Sequence, residues 1–145
     1  MKPYLLDINV LIALAWPSHV HHSLAQAWFA SNRTAGFRTC PITQSGFVRI
    51  SSNPKFIPDA VAPRQALALL ERIVSAKEHE FWPDDLPVAD AIAETDLVVG
   101  HSQVMDAYLI ALAHHHGGLL ATLDSRTLSL GRTAKDAVEL LGHRS

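Results

Sequence analysis

The chain reads as an α/β protein, a central parallel sheet with helices layered on both faces. Two observations predict this. Short apolar runs at residues 4–6 and 119–123 lack the apolar–polar alternation of half-exposed strands, as strands buried on both faces do. Between such runs lie longer stretches whose apolar residues recur at helical spacing. Strands that alternate with helices pair in parallel through crossover connections.

The first strand covers residues 3–6 and hands over at Asp7 to a helical pattern through Leu14, which Pro17 and Ser18 close. A second helix spans residues 19–31, with Leu24, Ala27, Trp28 and Ala30 near helical spacing. Gly36 breaks the chain before a short strand at residues 37–40. Pro41 suits the first turn of a third helix, which carries Thr43, Gln44, Phe47, Val48 and Ile50 and ends in the turn residues 51–54. A loop at 58–63 precedes a strongly amphipathic helix that Pro63 opens and that runs to about Ala76. Residues 79–82 read as a strand, 83–87 as a turn and 88–94 as a weaker helix. Ser102 is placed to cap the helix carrying Asp106, Ile110 and Ala113, which Gly117 and Gly118 end. A polar stretch reaching Arg132 follows the strand at 119–123, and a last strand is expected at 138–141. No repeat, low-complexity tract or linker divides the sequence, so one domain over residues 1–145 is expected.

Hydrophobic content of 48% and charged content of 18% exclude a disordered or fibrous chain. The formal net charge of -2 gives no bulk attraction for nucleic acid, so a polyanion would be held by a local basic patch or by metal ions. Cys40 is the single cysteine, which excludes an internal disulfide and fits a reducing cytoplasm. Lys2 ahead of an apolar stretch has the outline of a signal peptide, but Asp7 and Asn9 interrupt that stretch. No run approaches the ~18 apolar residues of a membrane span. A cytoplasmic protein without membrane association is expected.

The chemistry centres on three aspartates. Asp7 and Asp124 each follow an apolar strand, and Asp106 sits in the first turns of a helix. In an open α/β sheet the ligand crevice lies beyond the carboxyl ends of the strands, so strand-end carboxylates far apart in sequence are aimed at one place. Converging carboxylates repel one another and raise each other's pKa; a divalent cation removes that penalty. Hard oxygen donors select Mg²⁺, with Mn²⁺ as a substitute, over zinc. Held by Asp7, Asp106 and Asp124, such an ion would lower the pKa of a bound water, align it, and neutralise charge on a pentavalent phosphorus. Asn9 and Thr122 lie beside the set and suit orienting a carboxylate from behind. Arg49, just over one turn beyond Gln44, suits a bidentate grip on a phosphate.

Each of these residues also has a purely structural explanation. Asp7 is placed to cap a helix, Asp124 to hold a turn, and Arg49 to be a solvated side chain. Asp106 is harder to explain so, because a carboxylate among Val104, Met105, Ala107 and Leu109 needs a partner. His21–His22 and His114–His115–His116 raise the question of zinc. Consecutive helix residues point in different directions and are not expected to share one ion, and basic groups suit a helix C-terminus anyway. Trp16, Trp28 and Trp82 are expected to pack. There is no glycine-rich phosphate loop, nucleophile elbow or Cys–His pair to support another chemistry.

Taken together, residues 5–11 (Leu-Leu-Asp-Ile-Asn-Val-Leu), 39–44 (Thr-Cys-Pro-Ile-Thr-Gln), 104–109 (Val-Met-Asp-Ala-Tyr-Leu) and 120–124 (Leu-Ala-Thr-Leu-Asp) resemble the PIN-domain ribonucleases, in particular the VapC-type toxins of bacterial toxin–antitoxin pairs. The resemblance covers nearly the whole chain. It implies a PIN-like three-layer sandwich around a parallel sheet of five strands, with Asp7, Asp106 and Asp124 at the family's acidic metal positions. The fourth acidic position, commonly a glutamate on the helix after the second strand, falls at Gln44. Glutamine can coordinate but adds no negative charge, so a second metal ion would be held weakly. The resemblance also implies a homodimer and a cognate antitoxin whose C-terminal segment blocks the active site. The expected function is a Mg²⁺-dependent endoribonuclease toxin of a type II toxin–antitoxin system, cleaving structured cellular RNA by metal-activated water. One rival is a phosphotransfer or phosphatase domain with a strand-end aspartate nucleophile, which would require a second acid where Asn9 stands. The other is a non-catalytic protein-binding module of the same fold, in which the aspartates only cap helices.

Overall fold

The computed structural model describes residues 1–94 and 100–142. Five short strands, β1 (Tyr4–Leu6), β2 (Phe37–Thr39), β3 (His79–Phe81), β4 (Leu119–Thr122) and β5 (Val138–Leu140), form one sheet in the order β3-β2-β1-β4-β5. Every pairing is parallel. The chain leaves β1 on one side to reach β2 and returns to place β4 on the other. The topological switch therefore lies between the carboxyl ends of β1 and β4, where open sheets of this kind keep their ligand crevice. Tyr4 stands opposite Leu119 and Leu6 opposite Ala121, and the Asp7 amide extends the ladder by donating to the Ala121 carbonyl at 2.9 Å.

Alternation along each strand sends successive side chains to opposite layers. Leu5 and Leu120 pack into one core with α6 (Val104–His115), α7 (Arg132–Ala137) and Ala91 of α5 (Val88–Glu94). Leu6 and Ala121 pack into the other with α1 (Ile8–Ala15), α2 (His22–Asn32), Phe47 of α3 (Pro41–Ser51) and Leu70 of α4 (Pro63–Val74). Leu5, Leu6, Leu120 and Ala121 are fully buried, so the central strands have no solvent face. That is the three-layer sandwich expected from the alternating pattern. α3 crosses α1 closely: a Cβ at Gly46 would stand 2.3 Å from Ile8 Cδ1, so only glycine fits there. His22 is occupied structurally, its Nδ1 lying 2.7 Å from the Ala13 carbonyl and tying α2 to α1.

Three local expectations are corrected. Ser102 does not cap the Asp106 helix; a 3₁₀ turn over His101–Gln103 leads into α6, and the Gln103 side-chain oxygen accepts from the Gly100 amide at 3.1 Å. The second helix begins at His22, because residues 19–21 turn back on Trp16 through the His19 amide. The polar stretch after Asp124 is not irregular: it forms a 3₁₀ helix (Ser125–Leu130) and then α7. α7 has six residues and follows Gly131, its N-cap, with φ 113°. A helix that short leaves almost no periodic signature, and burial of Ala134 and Ala137 in the α6 layer holds it.

Candidate metal-binding carboxylate site

Asp7 leaves β1 with extended backbone (φ -62°, ψ 158°) and caps α1. Its Oδ1 accepts from the Ile8 amide at 2.8 Å and its Oδ2 from the Thr122 hydroxyl at 2.7 Å. The residue is 6% exposed. Burial raises its pKa, the two hydrogen bonds oppose that, and Asp124 adds to it.

Thr122 ends β4 and is fully buried. Its hydroxyl donates to Asp7 and accepts from Asn9 Nδ2 at 3.3 Å and from the Asp124 amide at 3.1 Å, so its donor and both acceptor positions are used. Asn9 reaches on to the Leu123 amide with Oδ1 at 3.2 Å. Thr122 therefore holds Asp7 directly, and Asn9 holds Thr122 in turn. Replacing Thr122 with Val keeps the volume and leaves a buried carboxylate one donor short, which costs about 1–3 kcal/mol. The expected result is a thermal midpoint lower by about 3–10 °C, measured without metal.

Asp106 lies in the first turn of α6, half-buried, where Ala107, Leu109 and Ile110 are fully buried. Its pKa is raised to about 6, first by desolvation, then by Asp7 and Asp124, with Arg126 opposing. It accepts no hydrogen bond from any described residue. A carboxylate so placed is an unbalanced negative charge, and it is coupled to both of the other acids.

Asp124 stands differently. It caps the 3₁₀ helix, accepting from the Arg126 amide at 3.0 Å, and the Arg126 guanidinium grips both oxygens, Nε to Oδ1 at 3.0 Å and Nη2 to Oδ2 at 2.9 Å. That pairing holds its pKa below the usual carboxylate range. Arg126 went unnoticed in the sequence; an arginine two residues after a turn aspartate was the available signal. The three acids thus feel one another, yet their ligand atoms do not form a group all within 4.8 Å. Like charges held by their own hydrogen bonds stand apart, which suits an ion that keeps part of its water shell.

Gln44, at the position where resemblance placed an acid, is engaged elsewhere. Its Nε2 donates to Thr39 Oγ1 at 2.9 Å, and that oxygen also meets His79 Nε2 at 2.7 Å. Arg49 is exposed on α3, beside a groove shared with Gln44, Ser45, Val48 and Leu67. The donor set fits a hard divalent cation: anionic oxygens on a braced, largely buried floor, with one acid whose charge Arg126 offsets only in part.

Comparison with known proteins decides the family. The family model described as "PIN domain" matches residues 4–135. The chain belongs to the PIN-domain family. Among curated PIN relatives, ribonuclease VapC39 of Mycobacterium tuberculosis is 48% identical over 122 residues, covering 83% of this chain and 88% of the relative. Ribonuclease VapC38 of the same species is 43% identical over 138 residues, covering 94% and 96%. Among solved structures, VapBC2 from Rickettsia felis, bound to a DNA fragment from its promoter, superposes with a TM-score of 0.63 over 96% of this chain and 98% of that one. At 12% identity that likeness shows the shared PIN architecture alone. PIN nucleases as a family depend on divalent metal ions.

Proposed function

We propose that this chain is a Mg²⁺-dependent endoribonuclease, the toxin of a type II toxin–antitoxin pair, hydrolysing phosphodiester bonds in structured cellular RNA. The reading includes a cognate antitoxin that inhibits it, a homodimer, a cytoplasmic location, and one nuclease domain over residues 1–145. The observation that carries it is Asp106: a half-buried carboxylate with no hydrogen-bond donor among the described residues, raised to about 6 beside Asp7 and Asp124. A helix cap or a turn would explain Asp7 and Asp124. Asp106 sits in the first turn of α6 but caps nothing and accepts no hydrogen bond among the described residues, and this tells against the non-catalytic module. The ribonuclease names of the curated relatives support the same reading. No helix among the described residues is long and apolar enough to cross a membrane.

Asp7 and Asp106 would hold the ion, and Asp124 would complete the set or orient the water. When bound, the ion supplies Lewis acidity and positive charge where phosphorus becomes crowded with oxygen. The protein's own part is orientation. Thr122 and Asn9 fix one Asp7 oxygen, and the α1 amide fixes the other. The Asp106 carboxylate would hold the cation in its ionised form, which the ion itself favours over the protonated one. Arg126 sits at the rim, 86% exposed, so it can exchange Asp124 for a substrate phosphate. Arg49 offers a second phosphate contact. Gln44 contributes no charge and is bonded to Thr39, which favours a single firmly held ion.

The test is metal removal. Purified protein incubated with total RNA should produce discrete fragments with Mg²⁺, none with excess chelator, and fragments again once Mn²⁺ is added. Cleavage that continues undiminished in chelator refutes the reading.

A further inference from the structure

A second group of ligands lies at the other end of α6. Asp85, His115 and His116 each offer one ligand atom, and these atoms all lie within 4.8 Å of one another. His116 Nε2 stands 2.8 Å from Asp85 Oδ1. Asp106 and His115 are nine residues apart on one helix, which separates this group from the carboxylates by roughly 14 Å along the axis.

Neighbouring histidines within a helix are not expected to share an ion, but these two stand at the helix end. His115 is the last residue of α6, and His116 caps it with φ -90° and ψ 8°. Gly117 then turns left-handed at φ 71°, and the Gly118 amide closes on the Ala113 carbonyl at 2.8 Å, the bonding of a glycine-terminated helix. The two imidazoles lie 5.2 Å apart by centroid and at 81°, and each offers a nitrogen close to the Asp85 carboxylate.

The His116 ring is also held. It stacks on Trp82 at 4.6 Å with planes 15° apart. Trp82 is itself seated on Gly118, where a Cβ would stand 2.7 Å from the indole. One ligand is therefore oriented before any ion arrives. The other two, Asp85 and His115, are exposed and rotate freely enough to close to the ligand spacing a zinc ion needs.

We propose that Asp85, His115 and His116 form a second metal site, for zinc or a similar borderline transition-metal ion, with solvent completing its coordination. Two imidazoles and one carboxylate select such ions over Mg²⁺, whereas the all-oxygen set around Asp106 does the reverse. The two sites thus sort different cations. A zinc ion here replaces the proton between His116 and Asp85, and it pins the loop before α5 to the end of the helix whose other end carries Asp106. This inference does not depend on the ribonuclease reading.

Calorimetric titration of the full chain with zinc, and the visible spectrum of the Co²⁺-substituted protein, test it. The wild type should bind one equivalent tightly and show Co²⁺ bands of low-symmetry, nitrogen-ligated character. Asp85→Asn and His116→Asn should each lose that step, with unchanged circular dichroism as evidence of folding. Asp106→Asn and His21→Asn should keep it. Absence of a tight equivalent in the wild type overturns the proposal. So does retention of binding in His116→Asn, or loss of binding in Asp106→Asn, which would place the ion among the acids.

Discussion

Replacing Asp106 with Asn should abolish RNA cleavage and, in the same protein, raise the thermal midpoint of the metal-free form. Loss of activity follows from removing the one acid without a structural duty. Taking away a preorganised electrostatic partner of this sort costs about 100-fold or more in turnover. The gain in stability follows from the same pKa. An acid raised from 3.8 to about 6 by folding is, when ionised at pH 7, a charge the folded state holds at a cost. The full shift would correspond to about 3 kcal/mol, and solvent screening at a half-buried site reduces that to about 1–2 kcal/mol. Asparagine has the same shape without the charge, so the midpoint should rise by about 2–6 °C. Saturating Mg²⁺ should then stabilise the wild type and leave the variant unmoved. A variant that loses activity and also melts lower would make Asp106 a structural residue and remove the main support for the metal site.

The second large effect is on pH. At subsaturating Mg²⁺, RNA cleavage should fall about tenfold between pH 7 and pH 5, as Asp106 passes from mostly ionised to mostly protonated around pH 6. Asp7, also raised by burial, steepens the fall where it titrates too. Asp124 stays ionised through this window because Arg126 holds its pKa down. More Mg²⁺ should move the midpoint to lower pH, since the ion competes with the proton. Stability of the metal-free protein runs the other way. A folded-state pKa above the unfolded value means the folded form binds more protons between about pH 4 and 6, so the Asp106 contribution improves as pH falls through 6. Cleavage that is flat from pH 5 to 7 at low Mg²⁺ would contradict the proposed role of Asp106.

Much of the site was legible before the fold. Asp7 and Asp124 were marked by the apolar strands that precede them, because a buried parallel strand has one composition and its carboxyl end one meaning. Asn9 and Thr122 were legible as neighbours of those acids, and both make hydrogen bonds at the β1–β4 junction. Arg126 was not legible. Its importance depends on a side chain folding back over two residues, and local spacing specifies no such rotamer. Gln44 was marked as a departure from the acidic pattern, but its bond to Thr39 depends on how α3 leaves β2. The closeness of His115, His116 and Asp85 was not legible, because it depends on how the loop before α5 meets the end of α6.

Periodicity and strand composition are local properties, so the chain alone determined its layered α/β architecture and its strand order of appearance. What only three dimensions decided was charge. Asp7 and Asp106 were driven upward by desolvation and by acids remote in sequence, and Asp124 downward by the folded-back Arg126 side chain. A carboxylate's environment is a sum over space, and no stretch of residues contains it.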